Sequence, residues 1–389
     1  MEVRESTMEV RACTIEVQLL ATRNLRKDSV NLHQTSARQH KQKISNVNNM
    51  KWTKEIIRAR NTLLRKHYAQ FDGLLEDGPE WNTLARSGTV WDKVYQIRNA
   101  APWRDAQHQM RRELAYLDTL RKDFQLRAED TLPSKIMQDT TMFCSNVLAN
   151  FSWRSCAIEH NSLSLATAKK VEAAIPLQKD GGSALLNAMN LRLPSSSELI
   201  KLDNGEESKE IEYLELRNNI VALQAVLSST YIERASTPEN LLEDIRIISR
   251  ILFRGMQMPF KAGLIRHMPV SVRSNPKAIF PYPRELEANL ERWSKFAAHD
   301  QEDIHPLIKG VWDTLYYVSV HPFPDGNGRT SRLLFATHVA RHGMIPAICT
   351  DGFSTEQYLT NVYSAMTKNP LPWCKDVILA QIDVLEKQR

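Results

Sequence analysis

Apolar residues recur at spacings of three and four along most of this chain, and one stretch departs from that rule. "KWTKEIIRARNTLLRKHY" puts Trp52, Ile56, Leu63 and Leu64 near one stripe. "RDAQHQMRRELAYLDTLRKDFQL" repeats the pattern with Met110, Leu114, Leu117, Leu120 and Phe124. Such spacing predicts amphipathic helices with charged outer faces. "LEDGPEWN" and "NAAPW" mark breaks between them. Residues 50–140 therefore read as a helical N-terminal region without chemistry of its own, a support or a docking region for a target. The helical period resumes in "LELRNNIVALQAVLSSTYI" and in "TPENLLEDIRIISRILFRGM", where Thr237 fits an N-cap and Pro238 the first helical position. Between the helices, "LRLPSSSELIKLDNGEESKE" reads as a surface loop. The exception is "HMPVSVRSNPKAIFPYP", whose alternation and turn residues predict a short β-hairpin. "DIHPLIKGVWDTLYYVSV" then lines up Ile308, Val311, Trp312, Leu315 and Tyr316 on one helical face, and "RTSRLLFATHVARHG" is a helix that stops at Gly343. Residues 1–48 have no apolar period and read as a disordered polar tail.

Composition narrows the function classes. An apolar content of 42% is ordinary for a globular chain of 389 residues. No apolar run approaches the roughly 18 residues that a membrane span needs. The N-terminus carries Glu2, Glu5, Glu9 and Glu16 and lacks the apolar core of a signal peptide. Five scattered cysteines without a CxxC pair read as free thiols in a reducing compartment, with no zinc site. The net charge is +6, and residues 1–130 hold 23 basic against 17 acidic side chains, leaving 28 against 28 in the rest. The basic residues are interleaved with acids, as on solvated helix faces, so there is no clear nucleic-acid footprint.

The chemistry concentrates in "HPFPDGNGRTSR", residues 321–332. Pro322 and Pro324 end one helix, "DGNG" turns the chain, and Arg329 and Arg332 lie one turn apart on the next helix. The N–H groups of the GNGR stretch point out of a helix N-terminus, and the glycines allow close approach, which makes an anion cradle suited to phosphates. The two arginines add forked donors for phosphate oxygens. Asp325 offers a hard oxygen for Mg²⁺ held together with phosphates. His321 can take a proton from a hydroxyl near neutral pH. Base, metal ligand, cradle and cationic clamp together describe phosphoryl-type transfer to a protic acceptor. The spacing is not that of a Walker A loop.

This motif resembles HPFx[DE]GNGRxxR of the Fic (Fido) family at every defining position, and the resemblance extends over about residues 141–380. It implies a mainly α fold: a Fic-type helical bundle with a short β-hairpin flap at about 268–283, in a catalytic domain at 141–389. It also implies transfer of AMP from Mg-ATP to a Ser, Thr or Tyr hydroxyl of a protein target. His321 would be the base and Asp325 the Mg²⁺ ligand. Gly326, Asn327 and Gly328 would form the anion hole, and Arg329 and Arg332 would hold the β and γ phosphates. Phe323 would be a core anchor, and the flap would pin the target segment.

"SCAIEHNSLSL" is similar to the inhibitory motif [ST]xxxE[GN], with His160 where the pattern has Gly or Asn. The resemblance implies an inhibitory helix near 150–172. Ser155 and Glu159 would share its face, and Glu159 would pair with Arg332 and block productive ATP binding. Tyr358 and Tyr363 match a helix that flanks the nucleotide in the family. The alternatives are AMP removal, transfer of UMP, phosphocholine or phosphate, and a non-catalytic nucleotide-binding module. Intact Gly328 disfavours the kinase-like variant, which has lysine there. Family habit also suggests a homodimer. The membrane anchor and tetratricopeptide repeats of some relatives do not appear, so a cytoplasmic or nuclear location is expected.

Overall fold

In a computed structural model, the described residues are 54–129, 147–176, 183–234, 236–256, 262–272, 278–350 and 354–387. The expected tail at 1–48 lies outside them. The described residues are predominantly helical. The segment expected as one helix across 104–126 is two, Ala101–Gln109 and Arg111–Glu129, joined at Met110. Its apolar stripe is nevertheless buried at Met110, Leu114, Leu117 and Leu120.

Two antiparallel helices form the heart of the fold: Pro306–Val320, whose expected face is buried, and Asn327–Arg341, which returns against it. Behind them runs Glu210–Val226, buried along most of its length, with Arg217, Asn218 and Asn219 among its buried residues. It packs on Asn327–Arg341, on Pro238–Leu252 and on the shorter helices Ala184–Asn190 and Ser196–Asp203. Thr237 does cap Pro238–Leu252, accepting the Asn240 N–H at 3.2 Å.

The N-terminal helices share this core. Leu371–Glu386 lies against Arg111–Glu129, Trp103 stacks on Trp312 with centroids 5.3 Å apart, and Trp312 donates its indole N–H to Ile97 O at 2.6 Å.

A further sequence expectation changes. The Pro/Ser segment expected as a loop contains the helix Ser196–Asp203, started by a reciprocal capping box in which Ser195 and Glu198 satisfy each other's N–H groups. The turn of the expected hairpin, residues 273–277, lies outside the described residues, which contain no strand and only a bridge residue at Val272. Several backbone groups on the flanks of that segment have side-chain partners. Met268 O, Pro281 O and both polar groups of Ile279 are engaged by side chains rather than by a facing strand.

Candidate active site

His321 is the residue at which the Pro306–Val320 helix stops. It takes the left-handed conformation (φ 52°, ψ 58°), and its N–H closes the last turn on Tyr317 O at 3.1 Å. Its ring Nδ1 lies 3.1 Å from Val318 O. A carbonyl only accepts, so Nδ1 carries the proton and Nε2 keeps its lone pair. Burial lowers the pKa of the ring to about 4, with a smaller push from the Arg266 cation, so the imidazole is a neutral acceptor at pH 7. Phe280 leans on the ring with centroids 4.5 Å apart.

The turn after His321 is held by Asn327. Its side chain accepts the Phe323 N–H at 2.9 Å and donates to Phe323 O at 2.7 Å. Asn327 and Phe323 are both buried, so this amide closes the loop while the backbone N–H of residue 327 starts the next helix. Gly326 precedes it at φ 78°, and a Cβ there would meet the Phe253 ring at 2.9 Å. That position needs glycine on both counts. Asp325 is exposed at the mouth, with Oδ1 accepting the Gly326 N–H at 2.7 Å. Arg329 is buried; its Nη1 lies 3.3 Å from Glu215 Oε1, and its guanidinium faces the Phe253 ring at 5.4 Å. Its Nε and Nη1 make no hydrogen bond among the described residues. A buried, under-satisfied guanidinium beside a helix N-terminus is suited to an incoming anion.

Arg332 is fully engaged. Nε donates to Ser155 Oγ at 2.9 Å, and Nη2 donates to Ser155 O at 2.8 Å and to Glu159 Oε1 at 2.7 Å. The Glu159 carboxylate also fills the space that a Cβ on Gly328 would need, over the start of the motif helix. Packing works to raise the pKa of Glu159, but Arg332 and then Arg329 outweigh it and hold the carboxyl below its ordinary value.

The stretch expected as one inhibitory helix over 150–172 is two. Residues 147–158 are helical, the chain turns at 159–161, and Leu165–Ala174 restarts behind the N-cap Ser164. The turn is a Schellman motif: His160 N–H bonds to Ala157 O at 3.0 Å and Asn161 N–H to Cys156 O at 3.1 Å, with His160 at φ 70°. The departure from Gly or Asn at position 160 is thus a matter of backbone conformation, which an exposed histidine tolerates at some cost. Asn161 continues inward, donating to Glu212 O at 2.9 Å and to Glu215 Oε2 at 3.3 Å. Glu215 therefore meets both the end of the inhibitory segment and Arg329. Burial raises its pKa, and Arg329 partly opposes that.

Of the two tyrosines, Tyr358 is buried against Arg332, whose guanidinium lies 5.7 Å from the ring centroid, and Tyr363 is half-buried. Sequence reasoning missed Arg266, which is buried and joins three segments. It donates from Nε to His321 O at 2.8 Å, from Nη1 to Met268 O at 3.1 Å and from Nη2 to Pro281 O at 2.6 Å, while its N–H bonds Pro322 O at 2.9 Å. No local spacing marks Arg266, Glu215 or Asn161, because their partners lie far away in sequence.

The profile of the Fic/DOC family matches residues 239–339. Residues 239–339 are a Fic/DOC family domain. The matched residues run from the Pro238–Leu252 helix into Asn327–Arg341. The chain is also 31% identical over 135 residues to "Protein adenylyltransferase Fic" of Nematostella vectensis, covering 34% of this chain and 30% of that protein. It is 28% identical over 194 residues to the protein of that name from Drosophila persimilis, covering 49% and 36%. The chain thus spans about a third of the length of these relatives. Among solved structures, "Fic-1 (aa134 - 508) from C. elegans" aligns with a TM-score of 0.48 and 18% identity over 86% of this chain and 98% of that one. No helix among the described residues is long and apolar enough to cross a membrane.

Proposed function

We propose that this protein is a Fic-type adenylyltransferase, moving AMP from ATP to a Ser, Thr or Tyr hydroxyl of a protein target, and that Glu159 holds it in an inhibited state. The observation that carries the reading is the carboxylate that pairs with Arg332 at the start of the motif helix. The Glu159 carboxylate sits over Gly328 and binds Arg332, the arginine suited to the far phosphate of the nucleotide.

The residues present fit a nucleotide and a divalent cation. Arg329 has under-satisfied buried donors, the Glu159 carboxylate lies over the start of the motif helix, and Asp325 is exposed. Asp325 would hold Mg²⁺, which supplies charge neutralisation between phosphates. The backbone N–H groups of Asn327 and Gly328 stabilise the charge that grows on the α-phosphate oxygens, while that of Gly326 holds Asp325. Arg329 and Arg332 bind the β and γ phosphates and orient the bond to be broken. His321 Nε2 takes the proton of the acceptor hydroxyl. The oxygen forms a bond to the α-phosphorus, the α–β phosphoanhydride bond breaks, and pyrophosphate carries away the electron pair. With Arg332 committed to Ser155 and Glu159, the γ-phosphate loses its clamp and the α-phosphate is not set in line.

Intact mass spectrometry of Glu159→Gly protein with Mg²⁺ and ATP tests this. One added AMP, absent when His321 is also replaced by Ala, is the expected result. One added phosphate would reassign the chemistry to kinase-like transfer. Nucleotide binding without any added mass, in the presence of candidate protein targets, would leave a binding module.

A further inference from the structure

The helices at 54–95 have no role in the transfer as derived above, yet their side chains reach the backbone beside His321. Ile279 is buried, and both of its main-chain polar groups are engaged by one helix, Thr89–Tyr95. Trp91 Nε1 donates to Ile279 O at 2.9 Å, and the Tyr95 hydroxyl accepts the Ile279 N–H at 2.8 Å. Two fixed points on one residue leave its main chain little freedom to rotate. The next residue, Phe280, carries the ring that leans on His321 at 4.5 Å.

The following residues are fixed from the same side. Glu285 accepts from Tyr68 Oη at 2.9 Å, from Trp91 N at 3.3 Å and from Tyr282 N at 2.8 Å. Arg266 then joins Pro281 O to His321 O. The imidazole is thus bracketed: its backbone is tied through Arg266, and its ring rests on a phenylalanine whose neighbour is locked by Trp91 and Tyr95. Satisfying the buried polar groups of Ile279 alone does not require this arrangement, since any donor and acceptor would do. What is particular here is that both partners come from one upstream helix and that the locked residue adjoins the one touching His321.

We propose that Trp91 and Tyr95 are positioning residues for His321, acting through Ile279 and Phe280, and that the N-terminal helical region is a working part of the active site. The proposal rests on His321 being the base of the transfer. It has a second consequence. Because the main chain of Ile279 is already paired, a target segment docking here must pair at other positions.

The experiment replaces Tyr95→Phe, which removes only the hydroxyl acceptor, and Trp91→Phe, which removes only the indole donor and part of the ring. The first readout is the His321 Cε1–H NMR signal and its titration without nucleotide, which does not depend on the transfer reaction. Both variants should move the signal and bring its midpoint up from about 4 toward the ordinary histidine value, while His338 stays unmoved. Phe280→Leu should reproduce the shift. In the Glu159→Gly background, self-modification at saturating ATP should fall about tenfold, equivalent to 1.4 kcal/mol, with ATP affinity changed less than about twofold. Folded variants with an unmoved His321 signal overturn the proposal. If the parent shows no transfer at all, the catalytic reading fails, and the NMR comparison still decides the positioning. Should the variants not fold, the Ile279 amide of the unmodified protein decides: slow hydrogen exchange is expected, and exchange at the rate of an open loop overturns the proposal.

Discussion

Replacing Glu159 in two steps separates what its charge does from what its volume does. Glu159→Gln keeps the shape over Gly328 and removes the charge facing Arg332. Glu159→Gly removes both and empties the space that a Cβ on Gly328 would occupy. Arg332 is 3% exposed and the glutamate side chain 39%, so solvent screens the pair from one side. An interaction of that kind contributes about 1 kcal/mol rather than the several of a fully buried pair. Losing it should raise the population with a free Arg332 about fivefold, and self-modification by Glu159→Gln should rise by the same factor. Glu159→Gly should add about tenfold or more, because the cradle then opens to a phosphate. The assay is the initial rate of AMP incorporation by intact mass at fixed Mg·ATP. Glycine and glutamine variants both at the wild-type rate would refute the inhibitory reading. A glutamine variant as fast as the glycine one would refute the role given to occupancy.

Burial of His321 sets a pH dependence. Its folded pKa, about 4, lies below the ordinary value near 6.5, so the unfolded chain takes up a proton first as the pH falls. The contribution to stability is intact above pH 6.5 and is lost as the pH falls toward 4; His321→Ala should flatten that part of a urea-denaturation profile. For the same reason the transfer rate should show no inflection near 6.5. Asn327→Ala removes two buried hydrogen bonds to Phe323 and strands their partners, so it should cost about 2–4 kcal/mol in chemical denaturation. Ser195→Ala breaks an exposed capping box and should cost about 1 kcal/mol, with unchanged self-modification of the Glu159→Gly protein.

Local regularities were legible in the sequence because each is enforced by residues a few positions apart. The buried face of Pro306–Val320, the cap at Thr237 and the break of the motif loop by prolines and glycines are all of this kind. The capping box at Ser195 and Glu198 was equally written there, and reading its serines as loop formers hid a helix. The motif at 321–332 carried the resemblance to the Fic family, and the family profile matches residues 239–339, which contain it.

Tertiary structure alone decided what meets that motif. Arg332 pairs with a carboxylate 173 residues upstream, a partner indicated by resemblance and not by spacing. The left-handed turn at His160 places that carboxylate at the end of a helix rather than within one. Arg266, Trp91, Tyr95 and Glu215 gave no signal at all, because a buried polar side chain is identified by the groups it satisfies, and those lie on other elements. The turn of the hairpin expected from alternation lies outside the described residues, and on its described flanks several main-chain groups are held by side chains. Periodicity fixes which face of a segment is apolar, whereas the pairing of buried polar groups is settled only when the segments pack.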